Sequence, residues 1–98
     1  MAEVTWTDQA LDDLDSVCRF IARDAPRYAE LFAAQVFRAT DHLAQFPRLG
    51  RVVPELRRDN YREVIVQSYR VIYRLSPNEV EILTVHHGAR QLRDLETS

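Results

Sequence analysis

The sequence predicts an α+β domain in which an antiparallel two-helix hairpin packs on an antiparallel sheet, in the order β-α-α-β-β-β. Two observations predict this class. Apolar residues recur at helical spacing through most of the first half, whereas β-branched and aromatic residues dominate from Tyr61 onward. A chain of 98 residues has room for one modest core. We therefore predict a single domain spanning residues 1–98.

Two helices are predicted after a short β-like run at residues 3–6. Thr7 or Asp8 can cap the first helix. Its apolar face repeats at helical spacing and consists of Leu11, Leu14, Val17, Cys18, Phe20 and Ile21. Asp24 and Pro26 mark a restart, because aspartate caps helices and proline is tolerated in a first turn. The second helix runs to Pro47 through Phe32, Val36, Ala39, Leu43 and Phe46. The short connection predicts an antiparallel hairpin.

The second half is predicted to contain a charged loop and three strands. Residues 47–60, PRLGRVVPELRRDN, have neither helical nor strand periodicity. Strands are expected near residues 62–66, 69–75 and 80–86, with the turn SPNE at residues 76–79 between the last two. That turn predicts antiparallel pairing of the strands on either side of it.

Composition narrows the class of protein. With 46% hydrophobic residues and only two glycines, the chain does not belong to the disordered or collagenous classes. The N-terminus lacks a basic region followed by an apolar run, and no apolar stretch approaches the length of about 18 residues needed to span a bilayer. We therefore expect a cytoplasmic protein without membrane contact. The single cysteine, Cys18, is interpreted as a small buried hydrophobe.

All thirteen cationic residues are arginine, and they concentrate in the second half. Seven of them lie between Arg48 and Arg74, against only three acids in the same interval. Arginine suits bidentate contact with phosphate or carboxylate. Nucleotide composition of the genome is an alternative origin of the bias that involves no function.

Strand alternation places arginines on one face of the sheet. Tyr69, Val71, Tyr73 and Leu75 share a face that suits the helices, and the opposite face carries Arg70, Ile72 and Arg74. One interpretation is a positively charged surface for nucleic acid or an acidic peptide. The alternative is a solvated face on which Glu63 and Glu81 form cross-strand pairs with the arginines.

Other catalytic or metal-binding patterns are weak. His86 and His87 are adjacent and point to opposite faces of a strand, so a metal site is not predicted. With only Gly50 and Gly88, the chain has no glycine-rich phosphate loop. The remaining chemical possibility is general acid–base catalysis by a histidine and a glutamate, assisted by arginines. Such a site would cleave RNA through the 2′-hydroxyl of the RNA and would need no cofactor.

Three stretches follow the predicted hairpin in order: LGRVVPEL, YREVIVQSYRVIYRL and VEILTVHHGARQL. Together they resemble the RelE/ParE superfamily of type II toxin–antitoxin toxins, from Val4 to about Leu92. The resemblance implies an N-terminal strand, two antiparallel helices and a curved antiparallel sheet whose middle strand is SYRVIYRL. It also implies that the protein is a toxin. The two branches of the superfamily act by different mechanisms.

The two branches differ in activity. RelE-like members cut mRNA in the ribosomal decoding site with lysines, arginines and a general acid or base. ParE-like members lack that cluster and are associated with poisoning DNA gyrase. This chain has no lysine, and its stretches SYRVIYRL and LTVHHGARQL are more similar to the ParE-like branch. The resemblance therefore favours a gyrase-directed toxin that is not an enzyme and has no cofactor.

Two alternatives remain open. YoeB-like or HigB-like ribonucleases use a glutamate, arginines and a late histidine. The residues that match this pattern in type are Glu55 or Glu63, Arg70, Arg74, and His86 or His87. In that branch the histidine stands close to the C-terminus, whereas GARQLRDLETS follows it here. The other alternative is a member without toxicity that acts as a binding partner.

Either branch implies a cognate antitoxin whose extended, partly helical segment wraps around the toxin in a hetero-oligomer. The target implied is DNA gyrase, with ribosome-bound mRNA as the alternative. The arginines expected to contact antitoxin or target are Arg51, Arg57, Arg58, Arg62, Arg70, Arg74 and Arg90.

Overall fold

The computed structural model describes residues 1–90, which contain two α-helices and five β-strands. In chain order they are β1 (Glu3–Trp6), α1 (Asp8–Ala22), α2 (Pro26–His42), β2 (Arg51–Val52), β3 (Tyr61–Val66), β4 (Tyr69–Ser76) and β5 (Glu79–His87). The strands form one sheet in the order β1-β5-β4-β3-β2. The predicted α+β class is confirmed, and β2 is an additional short strand within the segment predicted to be a loop.

The sheet combines antiparallel and parallel pairing. Strands β3, β4 and β5 form an antiparallel meander, as predicted, because short turns connect them. Strand β1 pairs in parallel with β5, with Glu3 opposite Glu79. The helical hairpin separates β1 from the meander in sequence, so no tight turn dictates its direction. A register shift at Ile72 and Tyr73 forms a bulge, which bends the sheet.

The helix ends agree in part with their predictions. Thr7, rather than Asp8, caps α1, and its Oγ1 accepts a hydrogen bond of 3.0 Å from the Ala10 amide. The predicted cap at Asp24 is wrong, because Ala25 occupies the N-cap of α2 without a side-chain hydrogen bond. Helix α2 does begin at Pro26, but it ends at His42 and not at Pro47.

The main core lies between the helices and one face of the sheet. Helix residues Leu14, Phe32 and Val36 pack against β4 and β5, and the predicted inward face of β4 is confirmed by buried Val71 and Tyr73. Three residues predicted to face the core are exposed instead: Leu11, Phe20 and Phe46. No helix within residues 1–90 is both long enough and apolar enough to cross a membrane.

Cys18 is half-buried at the contact between the helices. Its Sγ lies 3.9 Å from the carbonyl oxygen of Ala29, across the hairpin. Burial, together with the nearby Asp15 carboxylate, raises the pKa of the Cys18 thiol. A raised pKa disfavours the reactive thiolate, which agrees with a packing role.

A second, smaller core covers the opposite face of the sheet. It contains Val53, Tyr61 and Ile72, with Leu56 and Leu83 packed around them. Val53 and Leu56 come from the segment between β2 and β3, so this segment folds over β4 and β3. One face of the sheet is therefore covered by helices and the other, in part, by a loop.

The buried hydroxyl of Tyr73 binds the chain segment that leads to this loop. It accepts a hydrogen bond of 2.9 Å from the Gly50 amide and donates one of 2.8 Å to the Pro47 carbonyl. A Cβ atom at Gly50 would lie 2.5 Å from the carbonyl oxygen of Glu63 and 2.7 Å from the Tyr73 hydroxyl. Glycine is required here because two chain segments approach each other closely.

We predict that Gly50→Ala lowers the free energy of unfolding by about 1–3 kcal/mol, because backbone must shift to admit the new methyl group. Urea denaturation followed by circular dichroism measures this loss. The control is Gly88→Ala, where the nearest atom to a new Cβ is 3.1 Å away. An equal loss in both variants would contradict the close approach at Gly50.

Candidate functional site

Four charged side chains form a continuous chain of ion pairs on the loop-covered face of the sheet. Glu63 accepts hydrogen bonds from Arg51 Nε at 2.6 Å and from Arg70 Nε at 2.7 Å. Arg70 also donates from Nη1 and Nη2 to the two oxygens of Glu55, both at 2.7 Å. We call Arg51, Glu55, Glu63 and Arg70 the ion-pair network.

Burial varies strongly along the ion-pair network. The exposed fraction of the side chain is 0% for Glu63 and 7% for Arg70, but 32% for Glu55 and 64% for Arg51. Buried charges are stable only when they are paired and hydrogen-bonded. The hydrogen bonds that Arg70 donates to Glu55, and then the one to Glu63, raise the pKa of Arg70, although burial opposes them. The two central groups are therefore held as a charged pair.

The expected accessible arginine face is wrong at Arg70. Alternation does place Arg70 and Arg74 away from the helices, but Arg70 is buried and pairs with Glu55 of the loop. The alternative prediction of cross-strand pairs describes this face better, since Glu63 pairs with Arg70 and Glu81 pairs with Arg74. Arg74 remains partly exposed at the far end of β4.

Asp59 ties the two ends of the loop together. It pairs with Arg48 and with Arg62, whose Nη2 donates to Asp59 Oδ1 at 2.6 Å. Arg62 also donates from Nη1 to the Gly50 carbonyl at 3.0 Å. These arginines, Arg48 first, lower the pKa of Asp59. Arg62 thus stabilises the loop through contacts within the chain, whereas the sequence predicted that it would contact a partner.

The loop also presents exposed arginines. Arg57 and Arg58 lie at its outer turn, where Arg57 has a left-handed backbone conformation with φ of 53°. The Arg58 guanidinium lies 5.9 Å from the centre of the Tyr61 ring, within the range of a cation–π contact. Arg51, which pairs with Glu63, is exposed as well.

The two histidines lie on opposite faces of β5. Register places His86 across from Arg70 and His87 across from Tyr69. The rings of His87 and Tyr69 meet edge to face, with centres 5.2 Å apart. The residues proposed for a ribonuclease therefore do not all lie together. Glu63 and Arg70 are in contact, and His86 shares their face of the sheet. His87 lies on the other face, and Arg74 pairs with Glu81.

Arg90 borders a groove of about 620 Å³ between α1 and the end of β5. Phe20, Tyr69 and the two histidines also line this groove. The backbone carbonyl oxygen of Arg90 lies 3.1 Å from Nε2 of His86. This places Arg90 away from the exposed loop arginines, so the seven candidate arginines do not form one patch.

The two sides of the meander are protected unequally. At the β5 edge, Thr7 Oγ1 donates to the Leu83 carbonyl at 3.2 Å, and Asp13 accepts hydrogen bonds from the Thr84 hydroxyl and the Val85 amide. Side chains at the start of α1 thus occupy the backbone groups of this edge. Such protection prevents another strand from adding there.

Among residues 1–90, no strand pairs with the outer side of β3 beyond its short pairing with β2. The Tyr61 carbonyl accepts from the Val53 amide, and pairing with β2 ends at Glu63. By alternation along β3, the amide and carbonyl of Ile65 point to the same side of the strand as the Tyr61 carbonyl, away from β4. Ile65 is 54% exposed. A notch of about 360 Å³ beside it is lined by residues of α2 that include Arg38, Ala39 and His42.

Sequence reasoning missed two features of this region. The contact between Glu55 and Arg70 joins a loop to a strand, and nothing in the loop's spacing indicates it. Only a weak pattern in the sequence indicated the exposed edge at Ile65. Ile65 alternates with Val64 and Val66, and the inward face of this strand was not assigned from the sequence. Within residues 1–90, no group of three or more histidine, cysteine, aspartate or glutamate side chains is placed to hold a metal ion.

Comparison with known sequences identifies a family. Residues 4–92 match the family described as the ParE toxin of the type II toxin–antitoxin system parDE. Toxin RelE2 of Caulobacter vibrioides is 33% identical over 90 residues, which cover 92% of this chain and 99% of that protein. The match thus extends over nearly the full length of both chains.

Solved structures with the same fold come from toxin–antitoxin complexes. A chain of the chromosomal ParDE system from P. aeruginosa superposes with a TM-score of 0.74 at 20% identity, covering 89% of this chain and 96% of that one. A chain of the toxin–antitoxin complex RelBE2 from Mycobacterium tuberculosis gives a TM-score of 0.58 at 28% identity, covering 88% and 96%. The two matches carry ParE-type and RelE-type names respectively.

We predict that Arg70→Met lowers the free energy of unfolding by about 3–5 kcal/mol, because it leaves the buried Glu63 carboxylate with Arg51 alone. Arg74→Met on the same strand is the matched control and should cost at most about 1 kcal/mol, since its pair with Glu81 is partly exposed. Chemical denaturation of the two variants tests this. Equal losses would show that burial of the ion-pair network contributes nothing.

Proposed function

Because the chain belongs to the ParE toxin family of type II toxin–antitoxin systems, we propose that it is a toxin that poisons DNA gyrase and is neutralised by a cognate antitoxin. The observation that carries this choice of target is the state of the ion-pair network. Both oxygens of Glu63 and both terminal nitrogens of Arg70 are already engaged within the chain.

Occupied groups of this kind are poor candidates for RNA cleavage. A general base needs an oxygen or nitrogen within hydrogen-bond reach of the substrate proton. Glu63 is fully buried, and the second histidine, His87, lies on the other face of β5. The lack of lysine in the chain supports the same choice. Gyrase poisoning requires binding to the target and no catalytic group of this chain.

A ribonuclease is the second candidate, and one observation favours it. Glu63, Arg70 and His86 share one face of the sheet, and arginine with glutamate and histidine is a combination suited to phosphodiester cleavage. The similarity to toxin RelE2 of Caulobacter vibrioides is a further reason to test this activity. Cleavage would require the loop that carries Glu55 to move aside. A family member without toxicity, which only binds its partner, is the third candidate.

We propose that the antitoxin adds an extended segment to the open β3 edge. Main-chain hydrogen bonds to Ile65 would supply affinity, and the notch lined by Arg38, Ala39 and His42 would receive a side chain. Arg38 stands one helical turn from His42 on α2, so an acidic side chain in the notch can pair with the Arg38 guanidinium. The β5 edge is an unsuitable alternative because Thr7 and Asp13 occupy it.

We expect the purified chain, mixed with gyrase, ATP and circular DNA and then treated with denaturant and protease, to accumulate linear DNA. Arg57→Glu combined with Arg58→Glu should reduce this cleavage at least tenfold, because it reverses the charge of two exposed side chains. The matched control is Arg23→Glu with Arg27→Glu, two exposed arginines where α1 meets α2.

The outcome of the gyrase assay separates the candidates. Intact plasmid with normal supercoiling, together with mRNA cleavage on ribosomes, would overturn the gyrase proposal in favour of the ribonuclease. Absence of both activities and of growth arrest on induction would leave only the binding partner. Charge reversal at Arg70 is unsuitable for this assay, since Arg70 is buried and its replacement is expected to destabilise the protein.

We also predict that Ile65→Lys weakens antitoxin binding at least tenfold while leaving the free energy of unfolding nearly unchanged. Lysine on an edge strand opposes the addition of another strand, and Ile65 is already half exposed. Isothermal titration of the antitoxin into the variant measures the effect. Leu49→Lys, at an exposed leucine outside the strands, is the control. Unchanged affinity of Ile65→Lys would exclude the β3 edge.

A further inference from the structure

Strand β1 lies at the outer edge of the sheet, on the side opposite to β3. It pairs in parallel with β5, and the Glu3 amide donates to the Asn78 carbonyl at 3.0 Å. By alternation along the strand, the amides and carbonyls of Val4 and Trp6 point away from β5. Within residues 1–90, β5 is the only strand that pairs with β1, so these outward groups have no strand partner there.

The chain that follows α2 contacts this edge at its beginning. The Ala2 amide donates outward to the Ala44 carbonyl at 2.9 Å. Trp6 lies further along and is half-buried, and the centre of its ring is 5.3 Å from that of Phe37. Phe37 is 43% exposed. Partly exposed aromatic surface therefore borders the outward backbone groups of β1.

Strand β1 carries little that would oppose the addition of another strand. Edge strands are commonly protected by lysine, proline or a bulge. The four residues of β1, EVTW, include neither lysine nor proline, and its pairing with β5 has no register shift. Valine, threonine and tryptophan all favour β-structure. The outward side of β1 is thus a template for strand pairing.

The sequence of β1 is complementary to itself in the antiparallel direction. A two-fold axis at Thr5 places Val4 of each copy opposite Trp6 of the other. Each such pair exchanges two main-chain hydrogen bonds through the outward groups. Thr5 then lies opposite Thr5 of the second copy, and Glu3 lies opposite Thr7, so no like charges meet. Pairs of an aromatic with a β-branched residue, and of two threonines, are favourable across strands.

Other two-fold axes use this edge less completely. An axis at Val4 places Trp6 opposite Ala2, whose amide already has a partner after α2. An axis at Trp6 places Val4 opposite Asp8, which is the first residue of α1 and has no strand backbone. Thr5 is therefore the position about which both outward residues of each copy find a partner.

We propose that two copies of this chain associate through β1, antiparallel about an axis at Thr5, and so join their sheets into one. The interface is isologous, because the same residues contribute from both copies. It lies on the side of the sheet opposite to the β3 edge. A second copy at β1 and an antitoxin segment at β3 therefore occupy different edges, and the self-association requires neither gyrase nor antitoxin.

A disulfide at the axis tests the register directly. Thr5→Cys is combined with Cys18→Ala, which removes the single native thiol. Residues opposed in this kind of pair have Cα atoms about 4.5 Å apart, within the range that a disulfide spans. We expect the oxidised variant to migrate as a covalent dimer on a non-reducing gel. The matched control is Ile65→Cys in the same background, an exposed position on the β3 edge that should remain mostly monomeric.

Thr5→Lys measures the association without a cross-link. It sets two cations opposite each other at the axis, while Glu79, which accepts the Thr5 hydroxyl at 3.2 Å, lies beside the new ammonium group within each chain. Sedimentation velocity over a range of protein concentrations should show dimers of the wild type and a dissociation constant at least tenfold higher for Thr5→Lys. Ile65→Lys, the same type of change on the opposite edge, should dimerise as the wild type does.

The outcomes distinguish a second copy from other occupants of β1. A wild-type chain that sediments as a monomer at every concentration overturns the proposal, and so does equal cross-linking of Thr5→Cys and Ile65→Cys. A monomeric wild type whose affinity for antitoxin falls on Thr5→Lys substitution assigns this edge to the antitoxin instead. The sedimentation and cross-linking experiments contain neither gyrase nor antitoxin. Their failure leaves the proposed function standing, and a negative gyrase assay leaves the dimer standing.

Discussion

The burial of one carboxylate, that of Glu63, constrains much of this structure. A buried carboxylate requires hydrogen-bonding cations, and Arg51 and Arg70 supply them from β2 and β4 on either side of β3. Arg70 in turn holds Glu55 and with it the loop that brings Val53 and Leu56 onto the sheet. Three strands and a loop are thus joined through one group, which explains why a two-residue strand persists at the sheet edge.

The same constraint divides the surface of the toxin into regions with different properties. The helices cover one face of the sheet, the loop covers part of the other, and α1 closes the β5 edge. Exposed positions within residues 1–90 include Ile65 on the β3 edge and the arginines Arg57 and Arg58. Separate surfaces for antitoxin and target would allow the antitoxin to act without covering every target contact.

Sequence reasoning was most successful where local physical chemistry decides the outcome. Pro26 as a helix start and the turn before Glu79 were identified from the residues alone, and Thr7 was one of the two caps considered for α1. Alternation correctly placed Arg70 with Arg74. It did not indicate accessibility, because whether a strand face meets water depends on segments remote in sequence. The cap predicted at Asp24 was wrong, because Ala25 stands at the N-cap and Pro26 begins the helix.

The sequence by itself therefore determined the α+β class, the order of the elements, the inward face of β4 and, through three short stretches, the family. Only the tertiary structure decided that β1 pairs in parallel with β5, that Glu55 reaches Arg70, and that His86, not His87, shares the face of Arg70. The physical reason is the range of the interactions involved. Helix caps, turns and side-chain alternation act between near neighbours, whereas ion pairs and strand neighbours join residues whose separation along the chain carries no periodic signal.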